Sequence, residues 1–148
     1  MPEVRQVNGK WVMWYTAAKI GKKQQIHLCL ATSDDGIAWK KYANNPVLTD
    51  DFEKGPKRNV ISRCCVRYSN GVYRMWYSHA KPEYRIKYAE SLDGIDWEVS
   101  PVNPVLDVGP AGAWDSETVE YPEVREFNGV WNMWYAGNAY GRVGYAFA

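Results

Sequence analysis

Met-Trp-Tyr occurs three times in this 148-residue chain, as Met13-Trp14-Tyr15, Met75-Trp76-Tyr77 and Met133-Trp134-Tyr135, at spacings of 62 and 58 residues. Self-similarity at such a period marks an architecture that repeats one supersecondary unit. The stretch from Pro2 to Tyr15 (PEVRQVNGKWVMWY) matches that from Pro122 to Tyr135 (PEVREFNGVWNMWY) at 10 of 14 positions without a gap. A second motif trails the first two copies: Ser33-Asp34-Asp35-Gly36-Ile37-Ala38-Trp39 and Ser91-Leu92-Asp93-Gly94-Ile95-Asp96-Trp97. Each leads to Asn-Pro-Val-Leu, at Asn45 to Leu48 and at Asn103 to Leu106, and the third copy stops short of both motifs.

Within one unit the strands follow from alternation and turn chemistry. Cys64 to Tyr68 reads as strand A, and Asn70-Gly71 as a tight turn whose residues tolerate positive φ. Strand B is expected from Tyr73 to His79 and strand C from Tyr84 to Glu90, where Tyr84, Ile86 and Tyr88 share one face. Asp93-Gly94 turns the chain into a short strand D near Asp96 to Val99, and a Pro-rich stretch leads to the next unit. Four short antiparallel strands per repeat describe a β-propeller blade. The expected fold is therefore all-β, with about three four-stranded antiparallel blades in a single domain (about 1–60, 61–119 and 120–148), the last lacking its outermost strand. A closed propeller needs roughly four to eight blades. Two sheet faces should then stay bare, and closing the ring calls either for a homodimer, giving six blades or five if terminal blades combine, or for the rest of a longer polypeptide.

Charge narrows the partners. Lys and Arg number 18 against 17 Asp and Glu, so no whole-protein field gathers nucleic acid or an anionic membrane, and neither is an expected partner. The 8 Trp and 11 Tyr far outnumber the 3 Phe, and rings with a polar edge suit both packed β-layers and sugar-binding surfaces. Cys29, Cys64 and Cys65 give no disulfide framework, and the distant His27 and His79 give no metal set, so neither a metal nor another cofactor is expected. With no signal-like run after Met1 and no apolar stretch of membrane length, the expected compartment is the cytoplasm.

The Asp35 and Asp93 carboxyls read as turn-formers, since a short carboxylate in a hairpin bonds to backbone N–H groups. Candidate chemistry lies elsewhere. Trp114 to Glu123 gathers four carboxylates, Asp115, Glu117, Glu120 and Glu123, at the start of the third strand A. The first strand of a blade lines the central channel, so Glu120, with Glu117 and Asp115 beside it, is the candidate catalytic group, a buried carboxyl being suited to donate a proton. Arg63, at the matching place in the second blade, offers a planar fork for a sugar hydroxyl or an anion, or for Glu120 itself. His79, Tyr121, Asn138 and Tyr140 complete the candidate binding residues, the last two from the loop between strands B and C of the third blade.

Met-Trp-Tyr-Ser, then Tyr84 to Trp97 (YRIKYAESLDGIDW), Trp114-Asp115-Ser116-Glu117 and Tyr121-Pro122 together resemble the glycosidase-like five-bladed propellers, the group that contains glycoside hydrolase families 32, 43, 62 and 68. The resemblance covers nearly the whole chain and about half of such a propeller. It implies a carbohydrate ligand and, where active, hydrolysis of glycosidic bonds. It also implies a catalytic acid two residues before the Pro of a strand A, which is Glu120 before Pro122. The family's two essential Asp residues precede the Pro of their own strands, and those places hold Met1 and Arg63 here. A second carboxyl for hydrolysis would have to come from Asp115, Glu117, Glu123 or another subunit. A catalytically silent sugar-binding propeller and a protein-interaction ring are the alternatives.

Overall fold

The computed structural model describes residues 2–19, 24–49, 58–138 and 141–148, and the regular elements within them are β-strands. The first blade consists of β1 (Pro2–Val7), β2 (Lys10–Lys19), β3 (Gln24–Ser33) and β4 (Lys40–Lys41). β5 (Arg58–Ser69), β6 (Val72–Ala80), β7 (Tyr84–Ser91) and β8 (Glu98–Val99) form the second, and β9 (Val119–Phe127), β10 (Val130–Gly137) and β11 (Arg142–Phe147) a three-stranded third. Within each blade, chain neighbours pair antiparallel. The first hairpin of every blade turns on Asn-Gly (Asn8-Gly9, Asn70-Gly71, Asn128-Gly129) with positive φ at both residues, the geometry that matches strand twist in a two-residue loop.

Two features depart from the sequence expectation. β5 begins six residues before Cys64, because its first residues pair in parallel with β3 (Gln24↔Arg58, Gln25↔Asn59, Ile26↔Val60) and so join the first two blades into one eight-stranded sheet. The Asn-Pro-Val-Leu stretch is more than a connection, because it completes the fourth strand. The Asn45 side chain bonds Leu30 N–H at 2.7 Å and Leu30 carbonyl at 2.9 Å. Asn103 does the same to Tyr88 at 2.8 and 2.9 Å. Val47 and Val105 then donate to the carbonyls of Leu28 and Ile86, both at 2.9 Å. Outer strands of only two residues, β4 and β8, thus gain a side-chain rung and a second anchoring point.

Two cores sit between blades. The first unites Trp14, Leu28 and Leu30 with Ile61, Cys64, Val66, Tyr73, Met75 and Tyr77, and the second unites Cys65, Trp76 and Ile86 with Val124, Trp131, Met133 and Tyr135. Strand alternation explains the division. Trp14 and Trp76 point to the following blade, while Met75, Tyr77, Met133 and Tyr135 point to the preceding one. Trp14 meets Tyr73 edge-on at 5.9 Å and donates its indole N–H to the Gly94 carbonyl at 2.9 Å. Trp76 meets Trp131 at 5.1 Å. Trp134 has no following blade among the described residues and lies 5.6 Å from Tyr145 of its own blade.

Candidate functional site

On the innermost strands the ladder slips at the same place in two repeats. Ser62 pairs with Ser78 and Cys64 with Tyr77, which leaves Arg63 in a β-bulge. On β9, Glu120 pairs with Ala136 and Glu123 with Trp134, so Tyr121 and Pro122 together oppose Tyr135. Arg63 (φ 24°) and Tyr121 (φ 58°) both sit in the left-handed region, where a bulky residue costs on the order of 1–3 kcal/mol. A bulge re-aims side chains and recurs next to binding sites.

Here it turns the two toward each other. The Arg63 guanidinium lies 5.6 Å from the centroid of the Tyr121 ring, within cation–π range. The Tyr84 ring lies 6.2 Å from that of Tyr121. Tyr121 N–H donates to Ser78 Oγ at 2.7 Å, and Ser62 Oγ is 3.5 Å from the Tyr84 hydroxyl. Among the described residues no carboxylate pairs with Arg63, whereas Arg5, Arg67, Arg74, Arg85 and Arg125 each hold one.

Beside this group, Glu120 is buried at 3% exposure, one residue before the Tyr121 bulge. His79 is equally buried, with Nε2 2.8 Å from Asn59 Oδ1. Asn59 Nδ2 is enclosed and without a hydrogen-bond partner among the described residues. His79 pairs with Ile61 and shares its face, toward the first blade, while the adjacent Ser78 serves Tyr121 on the side of the third. The candidate binding residues of the second blade therefore straddle the sheet.

The acidic stretch divides as well. Asp115 is buried, accepts a hydrogen bond from the Tyr135 hydroxyl at 3.0 Å, and lies against Gly109 and Gly137, where any Cβ would collide with it. Burial and this bond push the Tyr135 hydroxyl up to about 12. Trp114 stacks on Tyr135 at 5.7 Å, and Gly144 leaves room for both rings. Glu117 has an exposed side chain. Its N–H and that of Thr118 donate to Asn138 Oδ1 at 2.8 and 3.0 Å, and its carbonyl accepts from Arg85 at 3.1 Å. Glu123 holds Arg67 at 2.8 Å. Asn138 also borders a cavity of about 330 Å³ lined with Trp114, Gly137 and Arg142. Tyr140 lies outside the described residues. A roomier hollow of about 490 Å³ opens at the rim beside Asp93 and Glu98, lined by none of the bulge residues.

Ser62, Ser78, Tyr84 and Asn59 were not among the residues singled out from sequence. Each owes its place to cross-strand register, which no local motif announces. Among the described residues no group of three or more His, Cys, Asp or Glu side chains is placed to hold a metal ion.

No family model matches the sequence. Uncharacterized proteins from two strains of Mycobacterium tuberculosis are 35% and 34% identical over 151 residues, covering 99% of this chain and 49% of theirs. The chain thus spans about half the length of these relatives. Solved structures with the same arrangement include a family 117 glycoside hydrolase of Zobellia galactanivorans (TM-score 0.76, 20% identity, 98% of this chain and 50% of that one). A family 32 β-fructofuranosidase of Bombyx mori has a TM-score of 0.75 at 18% identity, with 99% and 33% covered. A thermostable family 43 glycoside hydrolase has 0.74 at 20%, with 99% and 49% covered. The chain has the β-propeller fold of these glycosidases and carries about half of one propeller.

Proposed function

We propose that this half-propeller recognises a carbohydrate at the axial end of its inner strands, around Arg63, Tyr121, Tyr84 and Glu120. The observation that carries this reading is the paired bulge, which bends two strands out of register to set a cation over an aromatic ring, one residue along the chain from the buried Glu120. Aromatic faces stack on the apolar side of a sugar ring while charged and hydroxyl groups take its hydroxyls, and both kinds are present here. Hydrolysis is the second reading, favoured by the burial of Glu120, whose carboxyl would protonate the leaving oxygen. Of its candidate partners in this chain, Asp115 is committed to Tyr135 and Glu123 to Arg67, and Glu117 is exposed, which favours binding over turnover. Glycan binding and reducing-sugar release, measured on the wild type and on Glu120→Gln, separate the two. Release that vanishes in the variant while binding persists establishes hydrolysis. Binding without release in the wild type establishes a silent propeller, and no binding at all rejects both.

The ring is completed, in this proposal, by a second copy. Val143, Tyr145 and Phe147 of β11 are 76%, 54% and 73% exposed, and Phe127 and Val130 are 53% and 40% exposed; register places all five on the face of the third blade that carries Trp134. Trp14 seats on Tyr73 and Trp76 on Trp131, and the residue at that place in the first blade is Trp11. Two copies placing Trp134 on each other's Trp11 close the circle by the packing already used twice. Light scattering should give a dimer mass for the wild type and a monomer mass for Trp134→Glu; a wild-type monomer at every concentration assigns the bare face to another segment or partner.

A further inference from the structure

We infer that the ligand of this site is an acidic sugar, whose carboxylate is held by the Arg63 guanidinium. The inference rests on the carbohydrate reading and adds the charge class. Arg63 is the one arginine on the inner strands with a described side chain and no carboxylate among the described residues: Arg5 and Arg67 share Glu3, and Arg67 and Arg125 share Glu123. Its head group, though exposed, lies over the Tyr121 ring at 5.6 Å from the centroid. A guanidinium held near an aromatic ring by cation–π attraction, with no carboxylate on it, has its N–H fork left for a planar, two-oxygen acceptor. The left-handed backbone at both Arg63 and Tyr121 makes this pairing a product of the fold, because the register slip in each strand re-aims the side chain at that position. The neighbouring hydroxyls of Tyr84 and Ser62 suit the hydroxyls of a sugar ring better than a bare inorganic anion. A neutral sugar would leave Arg63 without an anionic partner in the bound state, which is the discrimination expected of a site that selects its ligand by charge.

The test is an array of neutral glycans and of glycans bearing uronic or sialic acid residues, probed with the full chain, followed by calorimetry on the strongest ligand and on its carboxyl-reduced form. Acidic glycans should be retained, and carboxyl reduction or Arg63→Gln should each weaken binding roughly 10- to 100-fold, the range for losing a charged hydrogen bond. Arg63→Lys should recover only part of this, since a point charge does not replace a fork. An unchanged melting temperature in Arg63→Gln, whose side chain is exposed, separates this loss from unfolding. Retention of neutral glycans with equal affinity, indifferent to Arg63→Gln, overturns the inference and leaves the carbohydrate reading standing. No retention of either class overturns both.

Discussion

At the rim, the hairpins Ser33 to Trp39 and Ser91 to Trp97 share the same set of Ser and Asp turn bonds, although Trp39 bonds the Gly36 carbonyl at 3.2 Å where Trp14 takes the equivalent Gly94 carbonyl. Ser Oγ meets Asp Oδ1 at 2.9 Å in both. Asp35 Oδ1 accepts from Ile37 and Ala38 N–H, both at 2.8 Å, and Asp93 Oδ1 from Ile95 and Asp96 N–H at 2.8 and 2.9 Å. At the axis, in the second and third blades, the backbone repeats while the side chains do not. The bulged residue is Arg63 in one and Tyr121 in the next, and the residue after next is Cys65 in one and Glu123 in the other. Where every blade solves one folding problem, repetition holds the chemistry fixed. Where strands converge on a shared axis, each blade supplies a different group, and only there is the pseudo-symmetry broken in a way a ligand would detect.

The largest effect should come from the blade-to-blade contacts that both regions depend on. Trp14 is fully buried, with Tyr73, Trp97 and the Gly94 carbonyl around it, so Trp14→Ala should cost about 3–5 kcal/mol in chemical denaturation. Trp134→Ala, at the same place in the third blade but with no blade over it among the described residues, should cost about 1 kcal/mol in the separated chain. Equal losses would show that the face of Trp134 is already covered.

The rim comes next. Asp93→Ala removes the acceptor of two backbone N–H groups and the Ser91 hydroxyl, with an expected loss of about 1–3 kcal/mol. Burial pushes the Asp93 carboxyl up, but the Asp96 and Ile95 N–H groups and the Ser91 hydroxyl together bring it below its ordinary value. A folded-state pKa below the unfolded one gives stability that is complete above the unfolded value, near pH 4, and is lost as pH falls through the folded value. Asp93→Asn should therefore flatten the acid limb of a stability–pH curve.

This division also sets what the sequence reveals. Turns and strands come from short-range chemistry: Asn-Gly, Asp-Gly and alternating Tyr84, Ile86 and Tyr88 each act within a few residues, and they lie where local pattern places them. The bulges at Arg63 and Tyr121 come from pairing between strands. No glycine marks either one, so the slip that turns Arg63 onto Tyr121 is invisible until β6 and β10 fix the register. Asn45 and Asn103 are legible as repeated residues, yet their work as substitute strand rungs depends on partners fifteen residues away. His79 and Ser78, adjacent in sequence, serve opposite faces for the same reason.

The smallest effect should lie at the axis, with the opposite sign. Burial raises the Glu3 carboxyl, and Arg5, the Val66 N–H and Arg67 offset this only in part. Its folded-state pKa thus lies above the unfolded one. The sign reverses accordingly: the native state binds the proton more tightly, so stability falls as pH rises through the interval between the two values. Replacing the carboxylate by a neutral isostere removes that penalty together with the ion pairs to Arg5 and Arg67, and the two nearly cancel. Glu3→Gln should shift stability at neutral pH by no more than about 0.5 kcal/mol, without the loss that Asp93→Asn shows. A loss at Glu3 as large as that at Asp93 would mean that the axial charges are structural, and would remove the contrast between a repeating rim and an axis free to carry function.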